Sequence, residues 1–199
     1  MTAIFRHPAS AASVLCAALT ACGGRAPSGA KGAEPAPVRV VPLASAIVLE
    51  TSGPPPSDTA VTFTAGEPRV IVLRHGPPEN VVFAEVSFAP RTFHADSGRS
   101  VKVEIHPRPG VYGIDLITSV PFSEGASVVF RYPRYFSAPA KARAVYGSDA
   151  LYERALGIGQ VLGTGQSLSL LPTTRPGPDN LEAALPAPGT YLVAAPESP

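Results

Sequence analysis

The chain has 199 residues, 45% of them hydrophobic and 16% charged, with 16 Lys and Arg against 15 Asp and Glu. So even a balance lacks the electrostatic footprint of a nucleic-acid binder, and 24 Pro with 18 Gly stay below the level that marks a disordered chain. Two cysteines, Cys16 and Cys22, are too few for a disulfide-stapled scaffold.

The first 21 residues divide into the parts of an export signal. A short leading segment carries Arg6 as its one permanent charge, and residues 8–19 are small, apolar and uncharged. That stretch is too short to cross a bilayer, which takes roughly 20 apolar residues. The tetrad Leu19-Thr20-Ala21-Cys22 resembles the lipobox of bacterial lipoproteins. The resemblance implies a diacylglycerol on the Cys22 sulfur, cleavage before Cys22, and acylation of the new amino group. One acyl chain anchors a protein only marginally, whereas two or more hold it stably, each buried CH₂ contributing about 0.8 kcal/mol. Gly23 stands where the inner-membrane retention signal of enteric bacteria has Asp, so in a host with two membranes the outer one is expected. Cys16 would leave with the signal and Cys22 would carry lipid, which leaves the domain no thiol for a disulfide.

Residues 22–37 are the lipidated cysteine and a tether of Gly, Ala, Pro and Ser with a few charges and no apolar period, a composition that stays disordered. Arg6 departs with the signal, so the mature chain is expected to balance fifteen bases against fifteen acids. Residues 38–199 are enough for one well-buried domain.

From residue 38 on, short β-prone runs alternate with turn residues, the pattern of an all-β sandwich or barrel. Runs at 38–43 and 47–49 come first, then the Gly53-Pro54-Pro55-Pro56 break and an alternating run at 59–64. The run Val70-Ile71-Val72-Leu73 is apolar at every position, as expected of a central strand covered on both faces. After Gly76-Pro77-Pro78 comes a run at 80–88. Residues 100–106 alternate most clearly, with Val101, Val103 and Ile105 expected inside and Lys102, Glu104 and His106 outside. Runs at 111–118 and 126–132 come next, then an irregular passage at 133–139 and an expected strand at 140–146. Residues 151–158 fit either a helix presenting Leu151, Ala155 and Ile158 or a strand, and the surroundings favour the strand. A hairpin joins 160–162 to 167–171, one helical turn is expected at 181–185, and a strand at 190–194 closes the chain.

Over residues 88–194 the order of these runs resembles bacterial relatives of the β-sandwich shared by zona-occludens and netrin-receptor proteins, the ZU domain. An alternating strand at 101–105 precedes an aromatic-Pro passage, a Tyr-Gly run and a closing Gly-Thr-Tyr-Leu-Val-Ala strand. The opening Gly-Gly turn of that family is missing, and Ala89-Pro90 stands in its place. The fold expected is therefore a single β-sandwich, immunoglobulin-like or ZU-like. The resemblance implies a non-catalytic interaction module and supplies no catalytic residue.

Chemistry-bearing residues are sparse. His94, Asp96 and His106 come nearest to a metal set, but zinc wants three or four convergent ligands with a supporting shell. A solvated loop and the wet face of a strand account for all three, so no metal or cofactor is expected. His75, beside Gly76-Pro77, fits a turn. The run Gly157-Ile158-Gly159-Gln160-Val161-Leu162-Gly163 matches a dinucleotide loop in its glycines, but it leads into a turn and a strand rather than the required helix. No Gly-x-Ser-x-Gly elbow occurs, and no enzyme is expected. The one basic-aromatic cluster, Arg131-Tyr132-Pro133-Arg134-Tyr135-Phe136 with Lys141 and Arg143, suits a partner-binding patch centred on Arg131, Tyr132, Arg134 and Tyr135. It equally suits aromatics packed on the sandwich edge with cations that block edge pairing. The function expected is thus that of a lipid-anchored interaction or structural module of the bacterial envelope. Its partners would be the membrane, through Cys22, and an envelope protein or glycan; the alternative is a small-molecule or glycan binder, and after it an envelope enzyme whose site is assembled from scattered residues.

Overall fold

Alternation in the sequence becomes strand pairing in the computed structural model, which describes residues 38–198 apart from Ser52, Asp96, Ser97, Arg134 and Tyr135. Cys22 and the tether lie outside the described residues, as do Asp96, Arg134 and Tyr135. In chain order come β1 (Arg39–Pro42), a 3-10 turn at Leu43–Ser45, β2 (Ala46–Val48), β3 (Thr59–Thr64), β4 (Arg69–Arg74), β5 (Val82–Phe88), β6 (Ser100–Pro107), β7 (Gly113–Thr118) and β8 (Ala126–Arg131). Two short helices come next, α1 (Ala140–Tyr146) and α2 (Asp149–Ala155), then β9 (Gly157–Leu162), β10 (Ser167–Leu170), β11 (Thr173–Thr174), β12 (Asn180–Leu185) and β13 (Gly189–Pro196).

The strands form two antiparallel sheets, ordered β1-β10-β9-β13-β7-β6-β3 and β11-β12-β8-β5-β4, with β2 added along the end of β13. Their facing sides share one large apolar core, so the fold is an all-β sandwich. β6 realises its sequence alternation directly. Val101, Val103 and Ile105 are buried, while Lys102 and Glu104 point away from them. β13 buries both faces, Tyr191 and Val193 toward the main core and Leu192 and Ala194 toward a second cluster with Val41 and Leu168. Its unbroken apolar run is the result of that double cover.

At one end of the core Phe63, Phe88, Phe93 and Phe122 pack ring on ring, with centroids 5.3–6.1 Å apart and several pairs edge to face. Each such pair adds about 0.5–1.5 kcal/mol beyond the burial of its area. Gly159 sits where β9 pairs with β10, opposite Leu170. A Cβ there would lie 2.6 Å from Leu168 Cγ. The glycines of the 157–163 run thus serve a strand and a hairpin turn, Gly163 having φ +52°.

Four expectations fail, each for a physical reason. Residues 140–146 form α1, not a strand. Ala and Lys favour helix, Ala142 and Tyr146 bury one face at i, i+4, and Gly147 ends the element with φ +76°. Residues 151–158 split between α2 and β9. The Ser148 side chain caps α2 by accepting from Leu151 N–H, and the buried residue is Tyr152 while Leu151 stays exposed. Residues 181–185 belong to β12, whose Leu181, Ala183 and Leu185 alternate inward against β8. β4 is an edge strand rather than a central one: Ile71 and Leu73 are buried, but Val70 and Val72 are 56% and 42% exposed. A short apolar run does not reveal whether a second layer covers its far face.

Candidate functional site

At the end of the sandwich where β4 turns into β5 and β8 leaves its sheet, the two sheets part around a cavity of about 960 Å³. Alternation along β4 carries Ile71, Leu73 and then His75 inward, so His75 continues the core side of the strand past its last residue. Its backbone N–H donates to the Val81 carbonyl at 2.9 Å and closes the 76–80 turn. The ring stands edge-on to Phe83 at 5.3 Å, is buried, and leaves Nδ1 without a hydrogen-bond partner.

Phe83, fully buried on β5, stacks on Tyr112 with centroids 5.2 Å apart and planes 12° from parallel. Tyr112 is held in turn by its backbone, donating to Leu49 and accepting from Val193, each at 2.8 Å. Burial pushes the Tyr112 hydroxyl above its ordinary pKa; a hydrogen bond with Thr51 opposes this, and the charge of Glu79 adds to it.

The opposite wall comes from the segment after β8. Tyr132 is buried, and its hydroxyl donates to Glu153 Oε1 at 3.0 Å while accepting from Arg175 Nη1 at 2.9 Å. Burial is the chief reason its pKa is pushed up to about 12. Phe136 lies edge-on to Tyr132 and Tyr152, at 5.7 and 6.1 Å. Arg175 also donates to the carbonyls of Glu153 and Leu156, which fastens the end of α2 to this wall.

Of the sequence-derived patch, Arg131 and Tyr132 line the cavity, whereas Arg134 and Tyr135 lie outside the described residues. Tyr132 is a buried wall and not an exposed platform. Three cations of the basic cluster are each matched to a carboxylate: Arg131 to Glu85 at 2.7 Å, Arg143 to Asp149 at 3.1 Å, and Lys141 to Glu197. His75 and the Phe83–Tyr112 stack are missing from the patch, although the spacing Ile71, Leu73, His75 carries the signal. Arg175 leaves no such trace, because its partners are carbonyls and a hydroxyl brought near only by folding.

The other described histidines do not line this cavity. His94 sits in the loop before β6 within hydrogen-bond reach of Ser123 Oγ, at 3.3 Å. His106, near the end of β6, bonds through Nδ1 to Asp58 at 2.9 Å. Among the described residues no three His, Cys, Asp or Glu side chains gather to hold a metal. The Asp58 hydrogen bond raises the His106 pKa above 6.5, with the charges of Asp58, Glu104 and Asp115 assisting and desolvation opposing. The folded state therefore favours the protonated ring. Its contribution to stability is complete below the ordinary imidazole range and fades as pH rises through the raised titration. Asp58→Asn is expected to lower the His106 midpoint in an NMR titration of the ring protons, and an unmoved midpoint would contradict the assignment.

No protein-family model matches the chain, and no match was found to a curated protein or to a solved structure.

Proposed function

We propose that this chain is a lipid-anchored, non-enzymatic β-sandwich of a bacterial cell envelope, held at Cys22 and binding a ligand through the cavity between His75, Tyr112 and Tyr132. The observation that carries the binding function is the cavity itself. Its volume lies in the range of small-molecule sites, and it combines aromatic walls with a few polar groups. The anchoring rests on Leu19-Thr20-Ala21-Cys22 and on the tether-like composition of the residues after it. The non-catalytic character rests on the ZU-domain resemblance. Gly23 after the lipidated cysteine favours the outer membrane where two are present.

A photoreactive phenylalanine analogue at Phe136, on the cavity lining, is expected to capture a specific envelope component on illumination of intact cells. The same analogue at exposed Leu151 on α2 serves as the control and should not capture it. Identical products from both positions, or none from Phe136, would rule the cavity out as the binding site.

A further inference from the structure

We infer that the cavity is selective for an organic cation, an ammonium or guanidinium group carried on an apolar body. The inference rests on the proposal that this cavity is the binding site. Hydrogen-bonding capacity around it is divided unequally. The charged donors are committed: Arg131 to Glu85 at 2.7 Å and Arg74 to the Asn80 carbonyl at 3.3 Å. The Tyr132 hydroxyl is likewise spent on Glu153.

The acceptors are free. Glu50, Glu79 and Asp179 line the cavity, and among the described residues none of the three carboxylates has a hydrogen-bond or ion-pair partner. A second observation comes from a different group. His75 lines the same cavity at 7% exposure, and its Nδ1 lacks a partner. A buried polar atom left unpaired is destabilising unless something satisfies it.

A ligand that supplies donors and no acceptors matches this set, and an ammonium or guanidinium does so. Among the described residues of the lining, an anion would meet three unpaired carboxylates against one guanidinium, Arg74, that lacks a carboxylate of its own. Leu49, Val81 and Phe136 on the same lining offer contact to an apolar body.

The test uses the full-length lipidated protein in detergent, titrated with phenethylamine, with its neutral counterpart 2-phenylethanol, and with phenylacetate. Binding is observed through NMR shifts of cavity residues. The amine is expected to bind at least about tenfold more tightly than the alcohol, the acid not at all, and added salt should weaken the amine. Combining Glu50→Gln, Glu79→Gln and Asp179→Asn should erase the advantage of the amine while leaving the unfolding midpoint unchanged, because Glu50 and Glu79 are exposed and Asp179 is half-buried. Equal affinity for amine and alcohol, or an amine affinity untouched by the triple variant, would overturn the cation selectivity and leave the cavity standing as a site. If no compound shifts any cavity residue at millimolar concentration, the cavity is not a binding site and both proposals fall.

Discussion

Phe83→Ala is expected to destabilise the protein by about 3–5 kcal/mol, the range for emptying a fully buried aromatic site. Phe83 is 0% exposed and touches three rings at once: Tyr112 in a parallel stack, Phe130 edge to face at 5.9 Å, and His75 edge to face. β5 supplies Phe83 from the smaller sheet, while Tyr112 is bonded to β13 of the larger one. Removing the ring thus uncouples the two layers behind His75 and Tyr112, which line the cavity, as well as leaving a void. A urea titration should show the midpoint falling with little change in slope. A loss below about 1 kcal/mol would mean that the site collapses easily and that the stack is not what fixes the cavity.

Arg175→Met is expected to cost about 1.5–3 kcal/mol, the range for hydrogen bonds to a charged group. The residue is exposed, which places the effect toward the lower end. Its guanidinium donates to the Leu156 carbonyl just past α2, where the helix has no internal partner to offer, to the Glu153 carbonyl, which also accepts from Leu156 N–H, and to the Tyr132 hydroxyl. The Arg175 charge also opposes the burial-driven rise in the Tyr132 pKa. In the variant, that hydroxyl should titrate still higher in an ultraviolet pH titration, together with the loss of stability. An unchanged Tyr132 titration would show that the contact does not persist in solution.

How much of the fold and the site was legible depends on which physical signal each residue carries. The all-β sandwich and the inward face of β6 are written in period-two alternation, because one side of the strand is buried and the other wet. β4 misleads for the same reason in reverse. Val70 and Val72 are as apolar as Ile71 and Leu73, but they point to the side of β4 away from the core and stay exposed there. The helix α1 was hidden because Ala-Lys-Ala-Arg-Ala alternates while also favouring helix. The deciding facts were the Ala142–Tyr146 face and the left-handed Gly147 cap. At the candidate site, Arg131 and Tyr132 were marked by composition. His75 needed the strand phase carried two residues past Leu73, and Arg175 could not be found at all without the positions of Glu153, Leu156 and Tyr132.

The most direct test of the proposed membrane anchoring is the intact mass of the protein extracted from cell membranes. The expected species is a chain that begins at Cys22 and carries a diacylglycerol on the sulfur and an acyl chain on the amino group, with both lost in Cys22→Ser. A membrane-extracted chain that begins at another residue, or that begins at Cys22 with no lipid attached, would contradict it.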